Sequence, residues 1–498
     1  MNLLSTLFEL KKIALRNLAR HKAKTCITCA AIMISVTVYI WMQSWLGGMA
    51  TESRRNIVNY EMGAAKVQSK RYFEKKDELP AYENFSNWEA YRQALEAAGY
   101  DAAPRYTFNG TLYSLAGSAP LAIYAVDPDA EKRALAYADY VNFGRFIEPG
   151  EFGIVLGAQT ADKLKLGVPA RLAEKELDEL TGGLDGEFIR GWYQPDTRAG
   201  EGYTLKSGLS AADKARLWGL FDTMGRNDVR ISTVIDYKDG ENAAGEDVVR
   251  HVYQVIDAKV VGTVNSPDPA TNFNAAYIPL DVLQGEEGMM LEGRITEILI
   301  RDKTMTPADL TGKRETKAAI REAFALTPLP PELDVFTWED YAGDYLGYET
   351  MELGATSILS LLLFFLALTG ISNTMLLSIL ERGKEIGMMR ALGMTDGQLT
   401  LVYVFEAAAL GLLGSVLGII LGCVLNYPMV KYGIDFSEML EQLNGSMGYR
   451  VVGNFRSMWS IPVIAGSGIV ATILSALTAI VPTRRVLRMP ITDSLRFE

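Results

Sequence analysis

Histidine is nearly missing from this chain. His21 and His251 are the only two, and no zinc-binding or nucleophile–base arrangement can be assembled from a pair so far apart. A phosphate-binding loop of the G-x-x-x-x-G-K-[ST] kind is missing as well: Gly312-Lys313 is followed by arginine and lacks the leading glycine. Cysteine occurs three times, as Cys26, Cys29 and Cys423, each within a long apolar run. The region between them therefore has no disulfide framework and must hold itself together by burial. Cys26 and Cys29 spell C-x-x-C, but at the mouth of an apolar helix rather than beside a βαβ unit, which favours two small apolar residues over a redox or metal pair. The expectation is a chain that is not an enzyme and binds no cofactor or metal.

Long apolar runs are what the sequence has instead. Cys26–Leu46, Gly354–Leu380, roughly residues 397–430, and Ile461–Val481 all reach the length of about 20 residues that spans a bilayer. The first follows a basic segment without a small-residue cleavage site, so it reads as a retained anchor rather than a signal peptide. Charge is unevenly divided. Residues 51–350 carry 49 acidic and 33 basic side chains, and the rest of the chain 11 and 16. Such an acidic portion repels phosphate and makes nucleic acid an unsuitable partner. Lys11, Lys12, Arg16, Arg20, Lys22 and Lys24 precede the first run. Arg382, Lys384 and Arg390 follow the second, and Arg484, Arg485, Arg488 and Arg496 follow the fourth. By the positive-inside rule all three segments are cytoplasmic, as are both termini.

The expected fold class is an α-helical membrane protein with four transmembrane helices and a large mixed α/β extracytoplasmic domain inserted between helices 1 and 2. The layout is a cytoplasmic amphipathic helix (1–24), span 1 (25–49), the α/β domain (50–350) with an inserted lobe at about 170–250, and span 2 (351–380). A cytoplasmic link (381–398), span 3 (399–430), an extracytoplasmic loop (431–460), span 4 (461–482) and a cytoplasmic tail (483–498) complete it. Residues 3–22 place Leu4, Leu7, Phe8, Leu10, Ala14, Leu15 and Leu18 on one helical arc, suited to the inner membrane surface.

Within the α/β domain, residues 84–100 read as a helix with Ser86 as N-cap, and residues 119–128 as a strand ended by proline. Residues 151–169 read as strand, turn and helix, and residues 307–326 as a helix. Residues 255–264, 275–283 and 295–303 are β-rich. Glycine-rich, weakly periodic text from Thr181 to Asp247 suggests a looser inserted subdomain. From Trp338 to Arg382 the pattern predicts one helix of about 45 residues, on the order of 67 Å. The alternative is a break near Gly354. With an outward extension of span 1 through Arg54 to Tyr60, the two helices would make paired stalks. Gly47, Gly48, Gly354 and Gly370 are candidates for close helix packing between two copies. Glu406, a carboxylate near the start of span 3, is the intramembrane polar residue to explain. Placed at the interface, it would hydrogen-bond the neighbouring link.

That link, "ERGKEIGMMRALGM" (residues 381–394), is short, charged and helix-prone. Glu381 and Glu385 stand one turn apart, as do Ile386 and Arg390, so at least two turns are predicted, ending at Gly393. An exposed surface of Ile386, Met388, Met389 and Leu392 would suit a groove on a partner protein.

The link resembles the E-R-x-x-E-I-G-x-x-R-A-L-G signature of ABC-transporter permeases of the MacB/FtsX/LolC–LolE type. The opening "IALRNLARHKAKTCIT" and the tail "IVPTRRVLRMPITDSLR" are similar to that family's entry to span 1 and its closing motif, with Val486 and Ser494 at alanine positions of the latter. In the α/β domain, "IVLGAQTADKLKLGVP" and "AKVVGTVNSPDPATNFNAAYIPLDVLQ" also resemble family segments. The resemblance implies that residues 381–398 are a coupling helix. Glu381, Arg382, Glu385, Ile386, Gly387, Met389, Arg390, Ala391, Leu392 and Gly393 would meet a cytosolic ABC ATPase dimer, the subunit that uses ATP. It further implies a bacterial inner membrane location, a second permease copy or paralogue, contact with membrane lipid, and a lipoprotein substrate released in the manner of LolC/LolE. MacB-like peptide or drug export, FtsX-like regulation of a cell-wall hydrolase and a sensor without ATP coupling are the alternatives.

Overall fold

The structure, a computed structural model, describes residues 22–182, 185–196, 202–241, 247–285, 293–302, 313–436, 451 and 454–488. The expected amphipathic helix at 3–22, except for residue 22, and the last ten residues lie outside them. The chain divides into two compact units. One comprises residues 1–51, 347–435 and 454–498, and the other residues 52–346 and 436–453.

The α/β unit is built on strands β1 (Ala65–Ser69), β2 (Tyr100–Ser114), β3 (Gly117–Val126), β4 (Val141–Gly144) and β5 (Gly153–Gly157). A small lobe contributes β6 (Arg171–Leu172), β7 (Tyr193–Pro195) and β8 (Tyr203–Leu205). The chain then returns through β9 (Asp228–Glu241), β10 (Asp247–Val264), β11 (Ala275–Pro279), β12 (Glu297–Asp302) and β13 (Leu333–Thr337). Ten of these form one mixed sheet in the order β13-β1-β12-β2-β3-β11-β5-β10-β4, with β9 beside β10 and β2. β5–β10 and β3–β11 are its parallel pairs.

Alternation along β12 shows why the sheet is covered on both faces. Ile298 and Ile300 enter one hydrophobic cluster with Ile123 and Ile154. Leu299, between them, enters another with Val126, Val155 and Tyr277. Successive side chains of a strand point to opposite faces, so two apolar sets on one strand require two cores.

Charge is also buried here. Arg105, 2% exposed, hydrogen-bonds the fully buried Glu131, with Nε 3.1 Å from either carboxylate oxygen. Lys66 Nζ donates to Glu297 Oε2 at 2.9 Å, and Arg105 Nη1 lies 3.6 Å from Glu297 Oε1. Burial alone would raise the Glu297 pKa, yet Lys66 and Arg105 hold it below the ordinary carboxylate value. Two cations and two carboxylates thus close on one another, which a dry interior requires.

Several expectations are corrected. The inserted lobe is not a loose stretch from Thr181 to Asp247, nor does it reach 250. It has its own core of Leu172, Leu177, Ile189, Tyr193, Leu217 and Phe221, whereas Asp228–Glu241 and Asp247–Val264 pair as long strands of the main sheet. The sequence misleads because polar residues on solvent-facing strand positions look weakly periodic. The helix at Trp88–Ala97 is preceded by Asn87 in the left-handed region, φ 59°, rather than capped by Ser86. The β-rich reading of 275–283 ends at Pro279, after which Leu280–Gln284 is helical. Of the expected helix at 307–326, residues 307–312 lie outside the described residues, and Lys313–Ala323 is helical.

Among the described residues, the helical unit contains four helices long and apolar enough to cross a membrane. The first runs Lys22–Asn56 and continues as a π-helical turn at Ile57–Met62, so the span expected at 25–49 has the outward extension expected through Arg54 to Tyr60. The second, Gly343–Glu381, passes Gly354 unbroken. Its separation from the four-residue helix Trp338–Tyr341 falls at Ala342 instead, so the continuous 45-residue helix is shortened to 39 residues, about 58 Å. The third is Asp396–Lys431. The fourth is Ile461–Thr478, followed by Ile480–Leu487.

Gly354 and Gly370, expected at a contact between two copies, do not pack these helices against one another within the chain. A Cβ at Gly354 or Gly370 would meet nothing within 4 Å in the chain, while one at Gly48 would lie 2.2 Å from the Arg456 carbonyl. The tight contacts belong to the third helix. A Cβ on Gly414 would come within 2.8 Å of Ile32, one on Gly418 within 2.8 Å of Val36 and the Met33 carbonyl, and one on Gly411 within 2.8 Å of Ser475. Small residues at helical spacing let backbones approach where lipid provides no hydrophobic drive. Thr37 Oγ1 accordingly reaches the Gly418 carbonyl at 3.1 Å. The signal was present in "GLLGSVLGIILG" (residues 411–422).

Candidate functional site

The link between the second and third spans folds as a nine-residue helix, Gly383–Ala391. Arg382 separates it from the second span, with φ −101° and ψ 21°. Its carbonyl still accepts from the Ile386 amide at 3.0 Å, so the chain turns without losing that bond. At the other end the Gly393 amide donates to the Arg390 carbonyl and the Met394 amide to the Met389 carbonyl, both at 3.0 Å. Gly393 sits at φ 97°. This is a Schellman closure, and it needs a residue that adopts the left-handed region. Thr395 follows at once as the N-cap of the third span. It exchanges hydrogen bonds with Gln398, backbone to side chain in each direction, a capping box.

The helix has an inner and an outer side. Ile386, 2% exposed, packs with Ile379, Leu399, Tyr403, Val486 and Leu487, and Leu376, Met389 and Met394 lie against that cluster. Gly387 is buried as well. Ile386 is thus not part of an exposed docking surface, and Met389 is only partly exposed. The sequence could not separate them from Met388, because both sides of this short helix carry apolar residues. Exposed are Glu381, Lys384, Met388, Ala391, Leu392 and Gly393, with Met388 at 56% and Leu392 at 84%. The spacing 384, 388, 391 and 392 makes one outward stripe. Glu385 is half-buried on its edge.

Two ion pairs fasten the helix to the third span. Arg382 Nη1 lies 3.7 Å from Glu406 Oε2, and Arg390 Nε lies 3.2 Å from Asp396 Oδ1. Glu406 is buried and faces the start of the link. Arg390 faces inward, and Asp396 stands in the first turn of the third span, where a carboxylate also complements the helix dipole.

The tail completes the site, which sequence reasoning missed. Pro482, Thr483, Val486 and Leu487 are buried, while Arg484, Arg485 and Arg488 are exposed. Val486 and Leu487 seal the cluster beneath Ile386. The available signal was the apolar spacing of Pro482 and Val486 within the basic tail motif.

Among the described residues, no group of three or more His, Cys, Asp or Glu side chains is arranged to hold a metal. The site offers a fixed, capped helix with a mixed apolar and basic outer stripe.

Residues 357–491 match the FtsX-like permease C-terminal family. An uncharacterized ABC transporter permease of Methanocaldococcus jannaschii is 28% identical over 275 residues, 54% of this chain and 63% of that protein. The lipoprotein-releasing system transmembrane protein LolC of Haemophilus influenzae is 22% identical over 182 residues, 36% of this chain and 43% of LolC. A macrolide export ATP-binding/permease protein MacB of Bdellovibrio bacteriovorus is 31% identical over 133 residues, 26% of this chain and 17% of MacB. The chain spans less than two thirds of the length of these relatives. The extracellular domain of the noncanonic ABC-type transporter YknZ from Gram-positive bacteria matches 55% of this chain and 99% of that domain, with 10% identity and a TM-score of 0.26.

Proposed function

We propose, from the FtsX-like permease domain that this chain carries, that it is the membrane subunit of an ABC transporter whose nucleotide-binding subunit is a separate cytosolic protein. The observation that carries this reading is the division of the link helix. Its inner side is anchored by Ile386, Arg382 and Arg390, and its outer side exposes Lys384, Met388 and Leu392. A helix whose packing requires only one face leaves the other to a partner. Closure of an ATPase dimer would push on that stripe. Because the helix is pinned to the third span by two ion pairs, it would move with the span rather than swing alone. The helices Lys22–Asn56 and Gly343–Glu381 exceed the hydrocarbon thickness of about 30 Å and would carry the stroke beyond the bilayer.

Within this reading we assign the substrate as a lipid-modified protein released from the outer leaflet, with a second permease copy completing the cleft. Similarity to LolC over 182 residues supports that assignment. Purification from native membranes tests both levels. A bound nucleotide-hydrolysing subunit that is lost from Met388→Asp/Leu392→Asp protein supports the transporter reading, and its absence from wild type overturns it. A co-purifying acylated protein supports the substrate, and a periplasmic adaptor in its place favours MacB-like export.

A further inference from the structure

A cavity of about 240 Å³ lies in the α/β unit. Its walls come from the π-helical turn Ile57–Met62, from β1, β2 and β12, and from Tyr341–Tyr345. Water's share of liquid volume is about 30 Å³, so the space takes a molecule of several heavy atoms.

Two independent features describe what fits. The first is a buried acceptor. Gln68, fully buried, donates its amide Nε2 to Glu297 Oε2 at 2.7 Å. Glu297 is held ionised by Lys66 and Arg105 and therefore only accepts, which fixes the orientation of the amide. Gln68 Oε1 must then face away from Glu297, and it has no hydrogen-bond partner among the described residues. A buried carbonyl oxygen in that position calls for a donor. The second feature is charge. Four carboxylates line the cavity, from Glu61, Asp77, Glu297 and Asp344, against two lysines. Both lysines are engaged: Lys66 with Glu297, and Lys76 with the Asp340 and Tyr341 carbonyls at 3.2 and 3.3 Å. Tyr72 and Tyr345 add aromatic walls, of the kind that favour cations, while the rings of Tyr341 and Tyr124 already face Lys66 and Arg105.

We infer that this cavity binds a small aliphatic amine as its ammonium ion, with Gln68 Oε1 as the deep acceptor and Asp77 and Asp344 at the rim. An ammonium group supplies donors only, matching the buried Gln68 acceptor and a net negative wall, and the Tyr72 and Tyr341 hydroxyls that share the lining can accept from it as well. The site is separate from the link helix, and the inference does not depend on the transporter reading. Ile57–Met62 and Tyr341–Tyr345 are where the chain enters and leaves this unit, so occupancy should stiffen both segments.

Calorimetry on the full-length chain in detergent, with putrescine as probe, tests the inference. Saturable binding is expected, together with slowed amide exchange at 57–62 and 341–345. Asp77→Asn/Asp344→Asn, at exposed rim positions that leave the core untouched, should weaken binding by about tenfold, which corresponds to roughly 1.4 kcal/mol. Gln68→Met should weaken it further. The inference is overturned by any of four results: no saturable heat, equal binding of uncharged 1,4-butanediol, preferential binding of succinate, or unchanged putrescine affinity in the rim variant.

Discussion

The Arg382 guanidinium lies 3.7 Å from the Glu406 carboxylate, with each side chain only 6% exposed. One residue begins the link and the other sits more than two turns into the third span, so the contact joins two segments that the turn alone would leave loosely hinged. Breaking a buried pair by removing one partner leaves the other charge uncompensated, at a cost of about 3–5 kcal/mol. Arg382→Met and Glu406→Gln should each lower the thermal midpoint in detergent. The double variant should recover part of the loss, because no lone charge remains. Additive losses in that cycle would show that the two groups do not interact.

Arg390 and Asp396 form the second fastening, at a more exposed position. Arg390→Glu places like charges together at the N-terminus of the third span. It should leave the protein folded and inserted but reduce substrate-dependent ATP hydrolysis of the assembled complex by about tenfold or more, on the order of 1.4 kcal/mol or greater in coupling. Glu385→Lys, on the edge of the outward stripe, should do the same. Wild-type coupling in both variants would remove the case for a coupling role.

Helix packing predicts a contrast among glycines. Gly418→Leu drives a side chain into Val36 and the Met33 carbonyl, and overpacking of this kind costs about 1–3 kcal/mol or more. Folded yield from membranes should fall sharply. Gly354→Ala and Gly370→Ala meet nothing within the chain and should be neutral or stabilising for the isolated protein, since alanine is the better helix former by about 1 kcal/mol. If either instead disrupted self-association while leaving the monomer folded, that glycine would be placed at a contact between copies.

Acid sensitivity follows from Glu297. Burial opposes its charge, but Lys66 and Arg105 hold its folded pKa below the ordinary value, which is about 4.3 for an unperturbed glutamate. The stabilisation is therefore fully present above that value and is lost as pH falls through the lower, folded one. Denaturant midpoints should drop on acidification below about pH 4. Glu297→Gln should be less stable at neutral pH and show a shallower decline with acid. An identical slope in both proteins would assign the acid transition to other groups.

Parts of this molecule were legible because their physics is local. A run of apolar residues long enough for a bilayer is a span whatever surrounds it, and the third and fourth helices fall close to where the runs place them. Gly393 announced the end of the link helix. The strand at Gly117–Val126 was bounded by Pro128, a residue that cannot donate to a ladder. The lobe was harder. The strand Asp228–Glu241 and the separately cored lobe before it share a polar, weakly periodic composition, so only strand pairing divides them.

The link shows the same boundary in fewer residues. Its helical character, its length and its charges are written in the order of its side chains. Which of Ile386, Met388 and Met389 faces a partner is not, because that depends on Tyr403 and Val486, residues far away in the chain that fill one side of the helix. Periodicity reports that a face is apolar; it carries no information about what comes to cover it. Local propensity thus set the elements, and long-range packing chose their inner and outer sides.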